Sequence, residues 1–340
     1  MGKYLLKRIL VMLPTLLGVT LVVFAVINLA PGSPVEQKLQ QLRFGGGMSD
    51  DGGGRDSSTV SDEVLAALNK QYGFDKPIHV RYFIWLKNIV TLDFGESFTY
   101  EEPVIEVIVS KFPVSLQFGL ASLLISYLIS IPLGIYKALR HGTIFDTFSS
   151  FLLFVAYSIP SFMLAVLLIV FLSGGSFLDV FPIGGLHSDM YEELSLWDKF
   201  VDRAHHFVLP LVCYTIGSFT SLTVLMKNSL LEEIKKDYIR TARAKGAPER
   251  IIYLKHALRN ALIPIVTGLG SFLMVFFAGS LLLETIFQLD GVGLLSYKSI
   301  LSRDYNVIMG LVFIQSFLFL IGNILSDIAY VLVDPRIDYT

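Results

Sequence analysis

The chain has 340 residues, 53% of them hydrophobic and 16% charged, with a formal net charge of −2. An average soluble domain is about a quarter charged, so this composition points away from soluble enzymes and towards a membrane protein. The overall charge says nothing by itself about partners, and no nucleic acid is expected among them.

Charge is also segregated along the chain. Six windows contain no Asp, Glu, Lys or Arg: Ile9–Val35, Phe112–Tyr136, Thr147–Leu178, Ala204–Met226, Ala261–Leu283 and Tyr305–Ser326. Each is at least about 20 residues, enough for a helix to cross a ~30 Å hydrocarbon core. Six transmembrane helices are predicted, which puts both termini on one side. That side carries 15 basic and 7 acidic residues, leaving aside Asp327 inside the last window, against 12 basic and 21 acidic on the other. The basic side is cytoplasmic by the positive-inside rule.

The first window is too long for a signal-peptide core and lacks a small-x-small site before a clear break, so it reads as a retained span. Ala30-Pro-Gly-Ser-Pro34 stops it with a turn cluster. A long outer segment follows to about Lys111. Its middle, Phe44 to Ser58, is rich in Gly, Ser and Asp and is expected to be mobile. Ser61 is the N-cap expected for a short amphipathic helix ending near Tyr72-Gly73. A second is expected over Arg81–Val90, with Tyr82, Phe83 and Trp85 as interfacial aromatics.

The second and third windows are joined only by Lys137–Asp146 and must be antiparallel neighbours. Pro132 and Pro160 fall inside them, where breakers are tolerated if neighbours or a cavity satisfy the freed backbone. The outer segment Gly174–Arg203 is acidic and aromatic. His205 and His206 follow, but adjacent helical histidines diverge, and no Cys/His ligand spacing accompanies them. No metal site is expected. The single cysteine, Cys213, lies in the fourth window and reads as a small core residue. That window is unusually hydroxylated, with Thr215, Ser218, Thr220, Ser221 and Thr223, and hydroxyls in lipid either bond across helices or face water. The fifth carries Gly268, Gly270, Ser271 and Gly279, which allow close helix contact. These two windows are the natural pore-lining pair.

Between them lies Lys227–Asn260, with 9 basic and 4 acidic residues. Leu230–Ala244 has neither Gly nor Pro and predicts one helix. Gly246 breaks it, Pro248 suits the first turn of the next, and Glu249–Asn260 predicts a second helix. A basic helix–break–helix on the inner membrane surface is a docking platform. Beyond it come Glu284, a Gly291/Gly293 turn with a short helix after it, and Asp327. Acids in or near the membrane are functional candidates, so Glu284 and Asp327 join Thr220, Ser221 and Ser271 as substrate-path residues.

The chain has no phosphate loop, no H-E-x-x-H and no G-x-S-x-G. It also lacks an obvious series of intramembrane carboxylates for proton coupling. It therefore moves something while another subunit supplies the energy. The alternatives are a membrane-embedded enzyme, against which the lack of a catalytic constellation weighs, and an autonomous secondary transporter, which would need no docking loop and would usually show more spans or charged intramembrane pairs.

Arg240-Thr-Ala-Arg-Ala-Lys-Gly246 followed by His256-Ala-Leu-Arg-Asn-Ala261 resembles the inner-face motif of binding-protein-dependent ABC importer permeases, in the variant of the peptide and nickel importers. The general motif begins Glu-Ala-Ala and ends Ile-x-Leu-Pro. The replacements here fit the peptide branch and argue against sugar or amino-acid permeases. Pro31-Gly-Ser-Pro34, Tyr72-Gly-Phe-Asp-Lys-Pro77, Asp93-Phe-Gly-Glu-Ser97, Gly291-Val-Gly-Leu-Leu295 and Asp334-Pro-Arg-Ile-Asp338 extend the resemblance over the whole chain. The Gly-rich insert and the ending resemble the Yej-type branch, associated with oligopeptide and microcin C uptake.

The resemblance implies an all-α integral membrane protein with six transmembrane helices, a periplasmic helical segment and a cytoplasmic coupling helix. Its divisions would be a tip and first span over 1–30, a periplasmic segment over 31–111, and a permease core over 112–340 containing a coupling loop at 227–260. The ATPase-coupling residues would be Tyr238, Arg240, Thr241, Ala242, Arg243, Ala244, Lys245 and Gly246. The partners would be a homologous six-helix permease, two ATPase domains, a periplasmic peptide-binding protein, the bilayer and a peptide substrate. No cofactor would bind this chain, ATP and Mg being held by partner subunits. Dipeptide or nickel import is the alternative within the family.

Overall fold

The computed structural model describes residues 2–29, 75–174, 177–268 and 279–333. Among them every regular element is helical, and extended pairing is confined to two isolated bridges, Glu96 with Pro103 and Ser173 with Phe181. In chain order the helices are α1 (Gly2–Leu29), α2 (Ile78–Ile89), α3 (Val104–Leu139), α4 (Ile144–Ser158), α5 (Ser161–Leu172), α6 (Leu196–Ile234), α7 (Asp237–Ala244), α8 (Glu249–Ile251), α9 (Leu258–Ala261), α10 (Ile263–Thr267), α11 (Leu281–Ile286), α12 (Val292–Leu301) and α13 (Tyr305–Val333). The predicted Gly-rich insert, the helix starting at Ser61, Ser271 and the tail from Asp334 lie outside the described residues.

Among the described residues four helices are long and apolar enough to cross a membrane: the Leu6–Leu29 part of α1, α3, α6 and the Tyr305–Ile328 part of α13. The third charge-free window does not form the straight span expected of it. It splits into α4 and α5, bent by 96°. The cause is local. Pro160 caps α5 with ψ of 136°, and Ile159 before it is extended, with ψ of 119°, the geometry towards which a proline ring biases the preceding residue. Pro132 and Pro210, by contrast, sit inside α3 and α6 without ending them. The fifth window lies partly outside the described residues, and its described ends belong to α10 and α11. The described residues thus show four long spans and one bent pair where six spans were expected.

At 39 residues α6 is the longest element. At 1.5 Å per residue it is about 58 Å long, roughly twice the hydrocarbon thickness. Ser195 caps its start, accepting from the Asp198 N–H at 3.3 Å.

The chain divides into two compact units, one of Met1–Ile9, Phe112–Leu294 and Leu318–Thr340, the other of Leu10–Lys111 and Leu295–Phe317. Among its described residues the first packs two apolar clusters. One packs Phe118 of α3 and Ala165 of α5 against Leu209 and Cys213 of α6 and Leu283 of α11, so Cys213 is the core residue expected. The other packs Met226 and Leu230 of α6 with Ile239 of α7, Ile252, Ala257, Ala261 and Ile265. In the second unit α2 lies on α1. Tyr82 is buried there, its ring 5.2 Å from that of Phe24 and its hydroxyl 3.1 Å from Thr20 Oγ1. Tyr82 is therefore a packing residue rather than the interfacial aromatic expected, whereas Phe83 is exposed.

Candidate functional site

The basic stretch after α6 folds as a compact hook. The single helix expected over Leu230–Ala244 is interrupted at Lys235–Lys236, where Lys236 is extended with ψ of 151° and caps α7. Glu233, at the end of α6, holds the two pieces at a fixed angle. Its carboxylate accepts from Lys236 Nζ and from the Tyr238 hydroxyl, each at 2.5 Å. Asn260 Nδ2 then donates to the same hydroxyl at 3.0 Å. Burial, reinforced by the neighbouring Glu233 carboxylate, pushes the Tyr238 phenol up to about 12.

α7 keeps one residue fully inside, Ile239, against the cluster around Leu230 and Ile252. Ala242, one turn on, and Ala247 pack half-buried on the same cluster. The other face is open: Arg240, Thr241, Arg243, Ala244, Lys245 and Gly246 are exposed, and Tyr238 largely so. Seven of the eight residues expected to couple are presented outwards, and Ala242 instead helps seat the helix.

The end of α7 is built as a turn. Gly246 has φ of +79°, the left-handed region that side-chain-bearing residues avoid. Its N–H donates to Arg243 O at 3.0 Å, and that of Ala247 reaches back to Ala242 O at 3.3 Å. These two bonds make a Schellman cap, closed by the apolar Ala242 and Ala247 and followed by Pro248, which ends the helix. Arg243 bridges the turn to Glu249 with bonds of 2.6 and 3.2 Å. The bond to Arg243 holds the Glu249 carboxyl below its ordinary value and raises Arg243 in return. The second helix expected here is also interrupted. α8 passes into a π-helical Ile252–Ala257 before α9. That wider turn places Ile252 and Ala257 both fully inside.

The expected substrate-path residues are not brought together. Thr220 is buried, and its hydroxyl points to Leu153 O of α4 at 3.4 Å. Ser221 is exposed, bonded back to Gly217 O on its own helix at 3.1 Å. Glu284 is fully buried. It accepts from Ser115 Oγ at 2.8 Å and from the N–H groups of Leu294 and Ser280 at 2.7 and 3.2 Å. This is a structural clasp between α3, α11 and the start of α12. Asp327 pairs with Arg8 Nη2 at 2.9 Å and accepts from the Tyr4 hydroxyl at 2.9 Å, anchoring α13 to the start of α1. Ser271 lies outside the described residues. His206 donates from Nδ1 to Asp202 O at 2.9 Å, an ordinary helical bond.

Sequence reasoning missed Glu233 and Asn260, which hold the hook, and also Asp146. The spacing of Glu233 from Lys236 and Tyr238 was the available signal, since only a sharp corner brings all three to one point. Asp146 carried a fainter one, as a lone acid at the edge of a charge-free window, nine residues from Lys137; Lys227, 81 residues away, gave none.

Residues 130–339, which include the whole hook, match the family described as binding-protein-dependent transport system inner membrane component. The chain belongs to this family. Over its full length it is 43% identical to the peptidoglycan transport system permease protein YejB of Agrobacterium fabrum, covering 99% of that protein. It is 42% identical to the inner membrane ABC transporter permease protein YejB of Escherichia coli O157:H7, again covering 99% of it. The oligopeptide transport system permease protein AppB of Bacillus subtilis is 35% identical with complete coverage of both chains. The chain is thus a multi-pass inner membrane permease subunit and not an enzyme.

Proposed function

We propose that this chain is one half of the translocation pathway of an ATP-driven oligopeptide importer, with α7 as its coupling helix. The observation that carries the reading is the hook itself. A short basic helix, fixed at both ends by the Glu233 clamp and the Gly246 cap, offers one face to the rest of the protein and the opposite face to a partner. Such a rigid, exposed element suits a groove on an ATPase subunit, since little order remains to be gained on docking.

In this reading two ATPase domains bind ATP and Mg, and this chain binds neither. A second, homologous six-helix permease completes the pathway, and a periplasmic binding protein delivers peptide. Both termini and the hook are cytoplasmic, in keeping with the basic bias of that side. ATP-driven closure of the ATPases draws the coupling helices together and opens the permeases outwards. Hydrolysis and release reverse the motion, and the peptide passes inwards. The peptide class is supported by relatives named for oligopeptide and dipeptide transport, and by the resemblance to the branch associated with microcin C. The relative named for peptidoglycan transport is compatible with it, since that polymer carries short peptides.

The test is reconstitution of this chain with its second permease, ATPases and binding protein in proteoliposomes. ATP-dependent accumulation of a labelled tetrapeptide is expected, abolished when the ATPase subunits are omitted. Uptake that persists without them, driven by an ion gradient, overturns the proposal in favour of an autonomous transporter.

A further inference from the structure

Three helices meet around one carboxylate. Asp146, in the first turn of α4, is almost fully buried and accepts from Lys227 Nζ of α6 at 2.6 and 2.8 Å. Lys137 Nζ of α3 lies 3.3 Å from its Oδ1. The same ammonium donates to Asp146 O at 3.0 Å and to Ser149 and Ser150 Oγ at 2.5 and 2.9 Å. The Gly142 N–H donates to Asp146 Oδ2 at 3.2 Å, and His141 Nδ1, on an exposed ring, lies at the same distance.

The cluster sits where α3 and α6 are already in close contact. A Cβ on Gly134 would fall 2.6 Å from Met226 Cβ and 2.9 Å from Thr223 O. One turn earlier Ser130 Oγ donates to Phe219 O at 2.9 Å. Two cations and one anion are thus enclosed, with the side chains of Lys137, Asp146 and Lys227 only 1%, 6% and 14% exposed. Buried ion clusters contribute little net stability, because desolvation offsets the attraction; removing the shared partner is what costs. Such a cluster fixes an arrangement. Here it fixes α4, which otherwise has its own direction and ends at the 96° bend, to α3 and α6. From Lys227 less than two turns of α6 lead to Glu233, which holds α7.

We propose that Asp146 is a positioning residue for transport: it makes the adjoining ends of α3, α4 and α6 move as one body with α7, so that a displacement of α7 reaches the bent α4–α5 pair. The inference rests on the reading of α7 as the coupling helix. Nothing in it requires Asp146 to touch ATP or peptide.

The experiment uses the complete importer in proteoliposomes, with Cys213 replaced by Ser. Spin labels go on Arg140, at the turn after α3, and Lys235, at the end of α6, both exposed. In the parent protein the distance distribution is expected to be narrow and to stay unchanged between the nucleotide-free and vanadate-trapped states. In Asp146→Asn, where two ammonium groups share a neutral amide, it should broaden. Tetrapeptide uptake per ATP hydrolysed should fall about fivefold, the scale of a mutated coupling residue, with the ATPases still co-purifying. Asp146→Glu, which keeps a carboxylate for both lysines, should retain most of both readouts. An Asp146→Asn protein with parental distance width and parental uptake per ATP overturns the proposal. So does an Asp146→Asn/Lys227→Met protein in which both readouts return to parental values, which would make the defect one of surplus charge rather than of a lost link. If the parent complex takes up no peptide, the functional reading fails, while the distance measurement still judges Asp146.

Discussion

Asn260 donates to the Tyr238 hydroxyl across 22 residues of sequence, tying the second half of the family motif to the start of α7. With Glu233 on the other side of that hydroxyl, the geometry of α7 is set by three polar side chains, and its one fully buried residue is Ile239.

The Gly246 turn predicts a graded series. Alanine in left-handed geometry costs about 1–2 kcal/mol, and Asn less because it tolerates that region. No atom lies within 4 Å of a Cβ there, so backbone strain alone sets the order. ATPase co-purification is expected to fall from Gly246 through Gly246→Asn and Gly246→Ala to Gly246→Val. A series ordered by side-chain volume instead would show direct contact with the partner.

Truncating Glu233 leaves Lys236 and Tyr238 without their acceptor, at about 1–3 kcal/mol for the lost bonds. Glu233→Gln should be milder than Glu233→Ala. In a double-mutant cycle with Tyr238→Phe, measured by thermal unfolding in detergent, the two substitutions are expected to be clearly non-additive. Additive effects would mean that the clamp contributes nothing.

The Arg243–Glu249 bridge makes the turn sensitive to acid. Glu249 has its carboxyl lowered in the folded loop by Arg243. Its contribution is therefore complete above the ordinary value of 4.5 and is lost as pH falls through the depressed one. Hydrogen exchange at the Gly246 and Ala247 amides, corrected for intrinsic rates, should be flat above about pH 5 and rise relative to Arg243→Gln below about pH 4. Equal profiles in the two proteins would exclude the bridge as a source of order.

Glu284 is predicted to be structural. Glu284→Ala strands the Ser115 hydroxyl and two N–H groups, each about 1–3 kcal/mol when buried unpaired, and should lower the thermal midpoint markedly. In the complexes that survive, the KM for peptide should be unchanged. A KM shift without loss of stability would return Glu284 to the substrate path.

Ser221 and Thr220 offer a contrast one residue apart. In a background without Cys213, Ser221→Cys should react with a membrane-impermeant maleimide and be protected by partner permease or peptide. Thr220→Cys, turned towards Leu153, should not react. Equal labelling would show that the α4–α6 contact opens.

What was legible in the sequence followed from patterns that physics makes local. Charge-free length marks a span, so α3, α6 and α13 lie where expected. Glycine before proline marks a turn, so the Gly246 break was found. The resemblance pointed to α7 and its exposed face. What was hidden depends on partners distant in sequence. Glu284 and Asp327 looked like candidates for function because acids are rare near membranes, yet each is absorbed by contacts far away in the chain. Lys137 and Lys227 looked like ordinary positive-inside charges, and only the fold shows that they share Asp146. Pro160 was visible as a breaker. How far it bends the chain depends on whether neighbours let the helix re-form, which no local rule states; Pro132 and Pro210 had the same signal and leave their helices whole.

The length of α6 has a mechanical meaning. A rod of about 58 Å that pivots near its middle converts a tilt of only about 5° into a shift of roughly 2–3 Å at each tip, in opposite directions. Because the helix stays continuous from Leu196 to Ile234, even across Pro210, which gives up one backbone N–H, a small push on α7 need not be relayed through a loop or a second helix. It appears at the far end as a sideways stroke, about the width of a carbon atom, which is enough to part or close a seam between packed helices.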